Sequence, residues 1–368
     1  MVSLNPTIEE ICKVYKLKGS FLGYNVIKSG NINDTYTVHT DYEDGGRTYL
    51  VQRINHRVFL EPEKIISNVC RITEHIRSRL IAAGERDIKR RVLKMYHTPD
   101  GEYIYRSDDG NYWRVISFIT NSCTFNSRPT AKIMHNTGIA FGEFQKNLSD
   151  FDASTLYETI PHFHDTVKRY ADFEKAVLEN KAGRVNSAQE EIDYLRSMAC
   201  HASYFRDLAA EGKIQLRVTH NDTKCNNVMF DSGTGNPLAV IDLDTVMPGY
   251  AAYDFGDAVR FAANTAAEDE RNLDLVSFDT DMFNQFASGF VPQLYGNLGE
   301  SEIDTLPMGA LVVTLELATR FLADYLNGDT YFKTAYDEHN LVRARCQIRL
   351  ARDMENKMGE MESIMKRF

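Results

Sequence analysis

Several hallmarks are missing from this chain, and each absence narrows what it can be. Its six cysteines, Cys12, Cys70, Cys123, Cys200, Cys225 and Cys346, never fall in a C-x-x-C pair, so no zinc site or dithiol redox motif is visible. The opening "MVSLNPTIEEICKVY" is too acidic and too interrupted for a secretory segment. Together these two features predict a reducing, cytoplasmic setting. Positive charge is the scarcer sign: 42 Lys and Arg face 52 Asp and Glu, for a net charge of −10. That balance argues against a nucleic-acid partner, which needs a clustered basic face. The run Lys89-Arg90-Arg91 is short enough to be a solvated edge. Long apolar runs are lacking too. "GALVVTLELA" falls far short of the roughly 20 residues that cross a bilayer, so no membrane partner is expected. There are no internal repeats, low-complexity linkers or coiled-coil heptads, and no G-x-G-x-x-G.

What is present is an ordered succession of elements. "NDTYTVHT" (33–40) and "RTYLVQRIN" (47–55) alternate as strands, with Asp44-Gly45-Gly46 as a hairpin signal between them. "EPEKIISNVCRITEHIRSRLIAAG" places Ile66, Val69, Ile72, Ile76 and Leu80 at helical spacing, with Pro62 near its start and Gly84 as its stop. "RVLKMYHT", "EYIYRS" and "NYWRVISFI" read as three further strands separated by Pro99-Asp100-Gly101 and Asp109-Gly110-Asn111. Beyond residue 118 the pattern turns helical. A helix is expected over 187–212, opened by a Ser187/Glu190 capping box. A long amphipathic helix is expected from Leu341 to Met365. Between them, "NVMF" and "LAVID" flank a Gly-rich turn as a hairpin. The expected fold class is α+β: a small β-rich lobe with one main helix (1–118) and a larger helical lobe (119–368), a bilobal protein-kinase-like layout.

The chemistry concentrates in that hairpin. His220-Asn221-Asp222 is followed after four residues by Asn227, the spacing of H-R-D-x-x-x-x-N, in which the carboxylate serves the attacking hydroxyl and the amide holds magnesium. A second metal ligand should end the far strand, where Asp242 stands. Asp244, two residues on, would face the same side of an extended strand and joins the metal-ligand candidates. His220 reads as a brace of the loop rather than a substrate contact. Asn226 competes with Asn227, and the spacing favours Asn227. Lys224 is either a contact to the transferred phosphate or a solvated loop lysine. The literal Asp-Phe-Gly triplet at 254–256 follows Pro248-Gly249 and reads as a helix start, so Asp254 or Asp257 is expected to cap helix amides, and Asp254 not to bind metal.

In the first lobe, "YLVQRIN" matches V-A-I-K with arginine where lysine would be. Arg53 is the phosphate-gripping candidate, and a one-residue slip would put Gln52 there. "SGNINDTYTV" is the candidate loop over the phosphates, with Gly30 and Asn33 as its nucleotide-binding residues. Glu63 or Glu74 could be the acidic partner, though both read more naturally as exposed helix charge. "SFITNS" would be the hinge.

"THNDTKCNNVMFD", "VIDLDTVMPG" and "DFGDAVRF" resemble the aminoglycoside phosphotransferase/choline kinase superfamily. "GNINDTYTV", "YLVQRIN", "ELATRFLADYLNGDTYF" and "HNLVRARCQIRLARDME" are similar to its N-acetylhexosamine 1-kinases, and the resemblance spans roughly 25–365. It implies transfer of phosphate from ATP, with Mg2+, to the anomeric hydroxyl of N-acetylglucosamine or N-acetylgalactosamine. Asp222 would be the base, and Asn227 and Asp242 the magnesium ligands. Arg320 and Tyr331 match sugar-contacting positions. On their own residues, Glu316, Arg320 and Asp324 equally fit a charge ladder on a helix surface, and Tyr331 a packed loop aromatic. Arg343 and Arg345 most simply decorate a helix face. The alternatives are a kinase of choline, ethanolamine, homoserine or an aminoglycoside, and a nucleotide-binding pseudokinase.

Overall fold

The computed structural model describes residues 6–28, 32–43, 45–125 and 128–368. Gly30 and the Asp44 of the hairpin signal lie outside the described residues. The chain divides into two compact units, and the first is discontinuous: Met1–Cys123 with Met229–Val246, against Thr124–Val228 with Met247–Phe368. The expected single cut at 118 is therefore corrected in two ways. The boundary falls later, and the hairpin at Met229–Val246 belongs to the first unit.

In the first unit, helix α1 (Ile8–Val14) precedes strands β1 (Ser20–Ile27), β2 (Asp34–Asp41) and β3 (Arg47–Ile54). Helices α2 (Pro62–Ala82) and α3 (Ile88–Arg91) follow, then strands β4 (Met95–Tyr96), β5 (Tyr105–Arg106), β6 (Tyr112–Ser117) and β7 (Ser122–Cys123). The main sheet runs β1-β2-β3-β6-β4, with β5 also on β6. Its two faces differ. Tyr49, Val51, Trp113 and Val115 bury one face in a cluster with Ile11 and Tyr15 around α1. Strand alternation puts Gln52 and Arg114, which pair directly across β3 and β6, on the other face. Strands β8 (Arg217–Thr219), β9 (Val228–Asp231), β10 (Pro237–Val240) and β11 (Met247–Gly249) come later in the chain. β9 pairs with β7 and β10, which draws the hairpin into the first unit. α2 is tied to the end of that segment by Asn68 Nδ2, which donates to the Val246 carbonyl at 3.0 Å.

The second unit is helical: α4 (Ala131–Asn147), α5 (Thr166–Glu179), α6 (Gln189–Ser197), α7 (Tyr204–Ala210), α8 (Ala251–Ala262), α9 (Thr280–Gln293), α10 (Glu300–Asp304), α11 (Leu306–Asn327) and α12 (His339–Met365). β8 and β11 pair antiparallel inside it. By length and composition α11 would fit a membrane, but 78% of its apolar window is buried inside the protein, and it packs against α5, α8 and α12. The expected helix over 187–212 is broken. Ser187 donates to the Arg184 carbonyl instead of capping, α6 starts after Ala188, and a 3-10 turn at Ala199–His201 separates α6 from α7. Ser197 Oγ donates to the Tyr194 carbonyl where the first helix ends, the local competition that weakens helices at serine.

Candidate active site

The candidate catalytic loop leaves β8 and is built by its supports. Asn221 takes a left-handed conformation, φ 65, which asparagine tolerates better than most side chains and which turns the chain sharply. Two carboxylates on α8 hold the loop backbone. Buried Asp254 accepts the N–H groups of His220 at 2.9 Å and Asn221 at 2.8 Å, and Gln145 Nε2 at 2.7 Å from α4. Asp257 accepts the Thr223 N–H at 2.9 Å and pairs with Arg260 at 2.9 Å. His220 lies wholly buried with its ring against the edges of Phe141 and Phe144, and its Nδ1 accepts the Asp222 N–H at 3.2 Å.

This scaffold presents Asp222, whose side chain is 29% exposed. Oδ1 meets Lys224 Nζ at 2.7 Å, and Oδ2 accepts from Asn227 Nδ2 at 3.0 Å. The Asn227 amide nitrogen also donates to the Asp222 carbonyl at 2.8 Å. Its N–H donors are thus committed inward, which leaves the amide oxygen as the group suited to a hard cation. Burial would lower the Lys224 pKa, but the charges of Asp222 and Asp257 outweigh it and hold the ammonium above its ordinary value. Burial likewise pushes Asp257 up, and Arg260 and Lys224 more than reverse that, keeping it below the usual carboxylate range. Burial raises Asp254 above that range despite the N–H groups aimed at it.

The literal Asp-Phe-Gly is built into α8 as structure. Its Asp254 does not cap that helix: the N-cap is Tyr250, with no side-chain cap, and the carboxylate reaches the catalytic loop instead. Phe255 is buried among Phe283, Phe286 and Phe290. Gly256 lies so close to the Gly309 backbone of α11 that a Cβ would collide with it.

Asp242 and Asp244 belong to the first unit. The expectation that they share a strand face is corrected. Asp242 is left-handed at φ 58 and ψ 56, and Leu243–Thr245 forms a 3-10 turn, so the two-residue alternation stops at Asp242. Asp244 turns inward, 3% exposed. Its two oxygens take Arg114 Nη1 at 2.5 Å and Nη2 at 2.9 Å, and Asn33 Nδ2 adds a bond at 2.7 Å. Those commitments remove Asp244 from the metal-ligand candidates. Arg53 also departs from expectation. It sits on the α1 face with its guanidinium on Asp34, 34% exposed, while Gln52 faces Arg114. The carboxylate on Arg53 is Asp34 and the one on Arg114 is Asp244, so neither Glu63 nor Glu74 is the partner of either arginine.

Among the described residues no cluster of three His, Cys, Asp or Glu side chains forms a ready metal cage. Asn227, in the second unit, and Asp242, in the first, each carry an oxygen donor of the hard type that suits magnesium, which takes its remaining ligands from phosphate oxygens and water.

Within the second unit lies a cavity of about 310 Å3 lined in part by Phe163, His164, Phe205, Asn221, Tyr250 and Tyr253. Glu316 accepts from Thr166 at 2.9 Å and sits 3.1 Å from His164 Nδ1, which makes that nitrogen the donor. The buried Nε2 has no hydrogen-bond partner among the described residues. Arg320 lies beside the rings of Phe163, Tyr331 and Phe332, at 5.7, 6.0 and 5.5 Å, and no described carboxylate pairs with it. The helix charge ladder is overturned: Glu316 serves His164, and Asp324 accepts the backbone N–H groups of Thr330, Tyr331 and Phe332. Tyr331 is 71% exposed, so it is not a packed loop aromatic. Arg345 is tied to Glu191. Sequence reasoning missed His164, Gln145 and Arg114. Arg114 had one signal, a lone charge inside an apolar strand.

Residues 23–281 match the Phosphotransferase enzyme family, and the chain belongs to it. Solved structures agree on the fold. Choline kinase from Cryptosporidium parvum superposes with a TM-score of 0.58 at 14% identity, covering 96% of each chain. A choline/ethanolamine kinase family protein from Mesorhizobium loti gives 0.51 at 13%, covering 98% of each. Ethanolamine kinase from Plasmodium vivax gives 0.51 at 14%, covering 88% of this chain and 82% of that one. The protein-kinase-like α+β fold anticipated from the element order is thus shown.

Proposed function

We propose that this phosphotransferase uses ATP and Mg2+ to phosphorylate the anomeric hydroxyl of an N-acetylhexosamine. The observation that carries the kinase chemistry is the Asp222–Lys224–Asn227 cluster on a loop braced by Asp254, Asp257 and His220. Asn227 and Asp242 are the residues that would hold magnesium, and the bound nucleotide supplies the activated phosphoryl group. Asp222 would orient the acceptor hydroxyl and take its proton as the new oxygen–phosphorus bond forms and the bond from the γ-phosphorus to the bridging oxygen breaks, with ADP as the leaving group. An ordinary aspartate is ionised at pH 7, so this role asks for no special pKa. Lys224 keeps its charge beside that carboxylate, where negative charge accumulates. The transition state is loose, so positioning and charge neutralisation supply most of the rate.

A sugar acceptor is supported by the hydrogen-bonding groups in and beside the cavity, whose lining carries Glu158, Asp165 and Arg206 as well as His164. Among the described residues Arg320 has no carboxylate partner, and Arg169 lies beside Phe163, its pKa lowered by burial and by Arg320. Arginine, carboxylates and the His164 imidazole together suit the hydroxyl and acetamido groups of a sugar. The test is ADP release on N-acetylglucosamine, N-acetylgalactosamine, choline, ethanolamine, homoserine and an aminoglycoside, with phosphorus NMR of any sugar product. An anomeric phosphate from an N-acetylhexosamine is the expected result. Release on another acceptor alone would replace the sugar reading and keep the kinase. ATP binding with no release on any acceptor would instead favour the pseudokinase alternative.

A further inference from the structure

The kinase reading leaves the first unit without its usual phosphate cation, because the residue of β3 that faces inward is uncharged. Gln52 occupies that position. Arg53, next to it, points to the opposite face with Tyr49 and Val51 and is engaged by Asp34 at 2.5 Å. The inward face does carry a buried cation, on the neighbouring strand. Arg114 is the direct cross-strand partner of Gln52, is 2% exposed, and donates from Nε to Gln52 Oε1 at 2.8 Å.

We propose that Arg114 is the nucleotide-phosphate cation of this protein, relocated from β3 to β6, with Asp244 and Gln52 as its positioning residues. The proposal rests on the ATP-dependent reading above.

Three observations converge on it. The first is donor count: Gln52 and Asp244 take three of the five guanidinium N–H groups, leaving one on each terminal nitrogen. The second is the network. Asp244 also accepts from Asn33, whose Oδ1 accepts the Asn55 N–H at 3.0 Å. One carboxylate therefore joins the segment entering β2, strand β6 and the turn that begins at Asp242. These are the candidate phosphate loop, the cation and the candidate metal ligand. The third is chemical type. A buried lysine readily loses its proton, whereas a guanidinium stays charged and its planar fork grips a carboxylate and phosphate oxygens together. Asp244 thereby takes the part that a helix glutamate plays for a β3 lysine, and α2 needs no such residue.

Binding measurements separate this from a purely structural ion pair. Affinities for Mg-ATP, ADP and adenosine would be measured by calorimetry, with circular dichroism and Tm as fold controls. Removing the cation in R114M, or in R114M/D244N if the single variant does not fold, should weaken ATP and ADP by at least about tenfold, the value of a lost charge-assisted hydrogen bond. Adenosine, which has no phosphate, should stay within about twofold. Adding Q52K to either background returns a cation to β3 and should restore most of the ATP affinity. R53M should change ATP affinity by no more than about twofold. A folded R114M or R114M/D244N that binds ATP within that margin overturns the proposal, as does a tenfold loss in R53M. A wild-type chain that binds adenosine but gains nothing from the phosphates overturns the kinase reading itself, and the proposal with it.

Discussion

Asp222 touches both a cation and an amide, and its neighbours show what its replacement would do. Asp222→Asn keeps the shape and can still meet Asn227, but it removes the proton acceptor and the partner of Lys224. Turnover, read as ADP release, should fall by about 10²–10⁴, while ATP affinity by calorimetry stays near that of the wild type. Turnover close to wild type would remove Asp222 from the role. At this scale the sequence was legible where chemistry depends on local spacing. His220, Asp222 and Asn227 stand within seven residues of one another, and a short loop fixes their relation. It was illegible where meaning comes from a partner distant in the chain. Arg53 and Arg114 look alike as single charges in strands. Only the pairing of β3 with β6 shows that they face opposite ways. Asp254 is a similar case: a first-turn aspartate reads as a cap, and only the return of β8 reveals that it holds the loop.

Elements position that loop through contacts too tight for a side chain. Gly138 and Gly142 of α4 abut the backbone of α9 at Phe286 and Phe290, and Gly289 abuts α4 at His135 and Ile139. The same α4 carries Phe141, Phe144 and Gln145, which support His220 and Asp254. Gly289→Ala must push the two helices apart. It should cost about 1–3 kcal/mol, seen as a lower Tm, and should lower kcat through the displaced loop. An unchanged Tm would show that the contact is looser than drawn. A second element contact has a pH signature. Arg90 on α3 meets Asp231 of β9 at 2.7 Å, and that hydrogen bond, with those from Thr234, lowers the Asp231 pKa from 3.8 to about 2. A lowered folded-state pKa adds stability above the unfolded value of 3.8, and that stability is lost as pH falls through about 2. Arg90→Met should therefore unfold at lower urea concentration than the wild type above pH 4, and the gap should close on acidification. A gap that widens toward pH 2 would contradict the assignment. Most strands and the helices α2 and α12 were legible from periodicity. The broken helix at 187–212 was not, because its apolar spacing continues across the turn that the serines create.

At the scale of the molecule, the chain passes between its two units three times, at 123/124, 228/229 and 246/247. No single cut can then separate them, although the change from strand to helix pattern near residue 118 suggests one. A period in the sequence marks element type, not the unit an element joins, and the hairpin is placed by β7 pairing with β9. The consequence is testable with fragments. Residues 1–123 alone would leave Arg114 buried without Asp244, Arg90 without Asp231, and Asn68 without the Val246 carbonyl. Removing one partner of a buried ion pair costs about 3–5 kcal/mol, most of the roughly 5–15 kcal/mol that holds a domain together. Fragment 1–123 should show no cooperative thermal transition by circular dichroism. The same fragment joined through a Gly-Ser linker to residues 229–246 regains all three partners and should unfold cooperatively. Cooperative unfolding of 1–123 alone, at the Tm of the linked form, would mean that the returning segment does not complete the first unit.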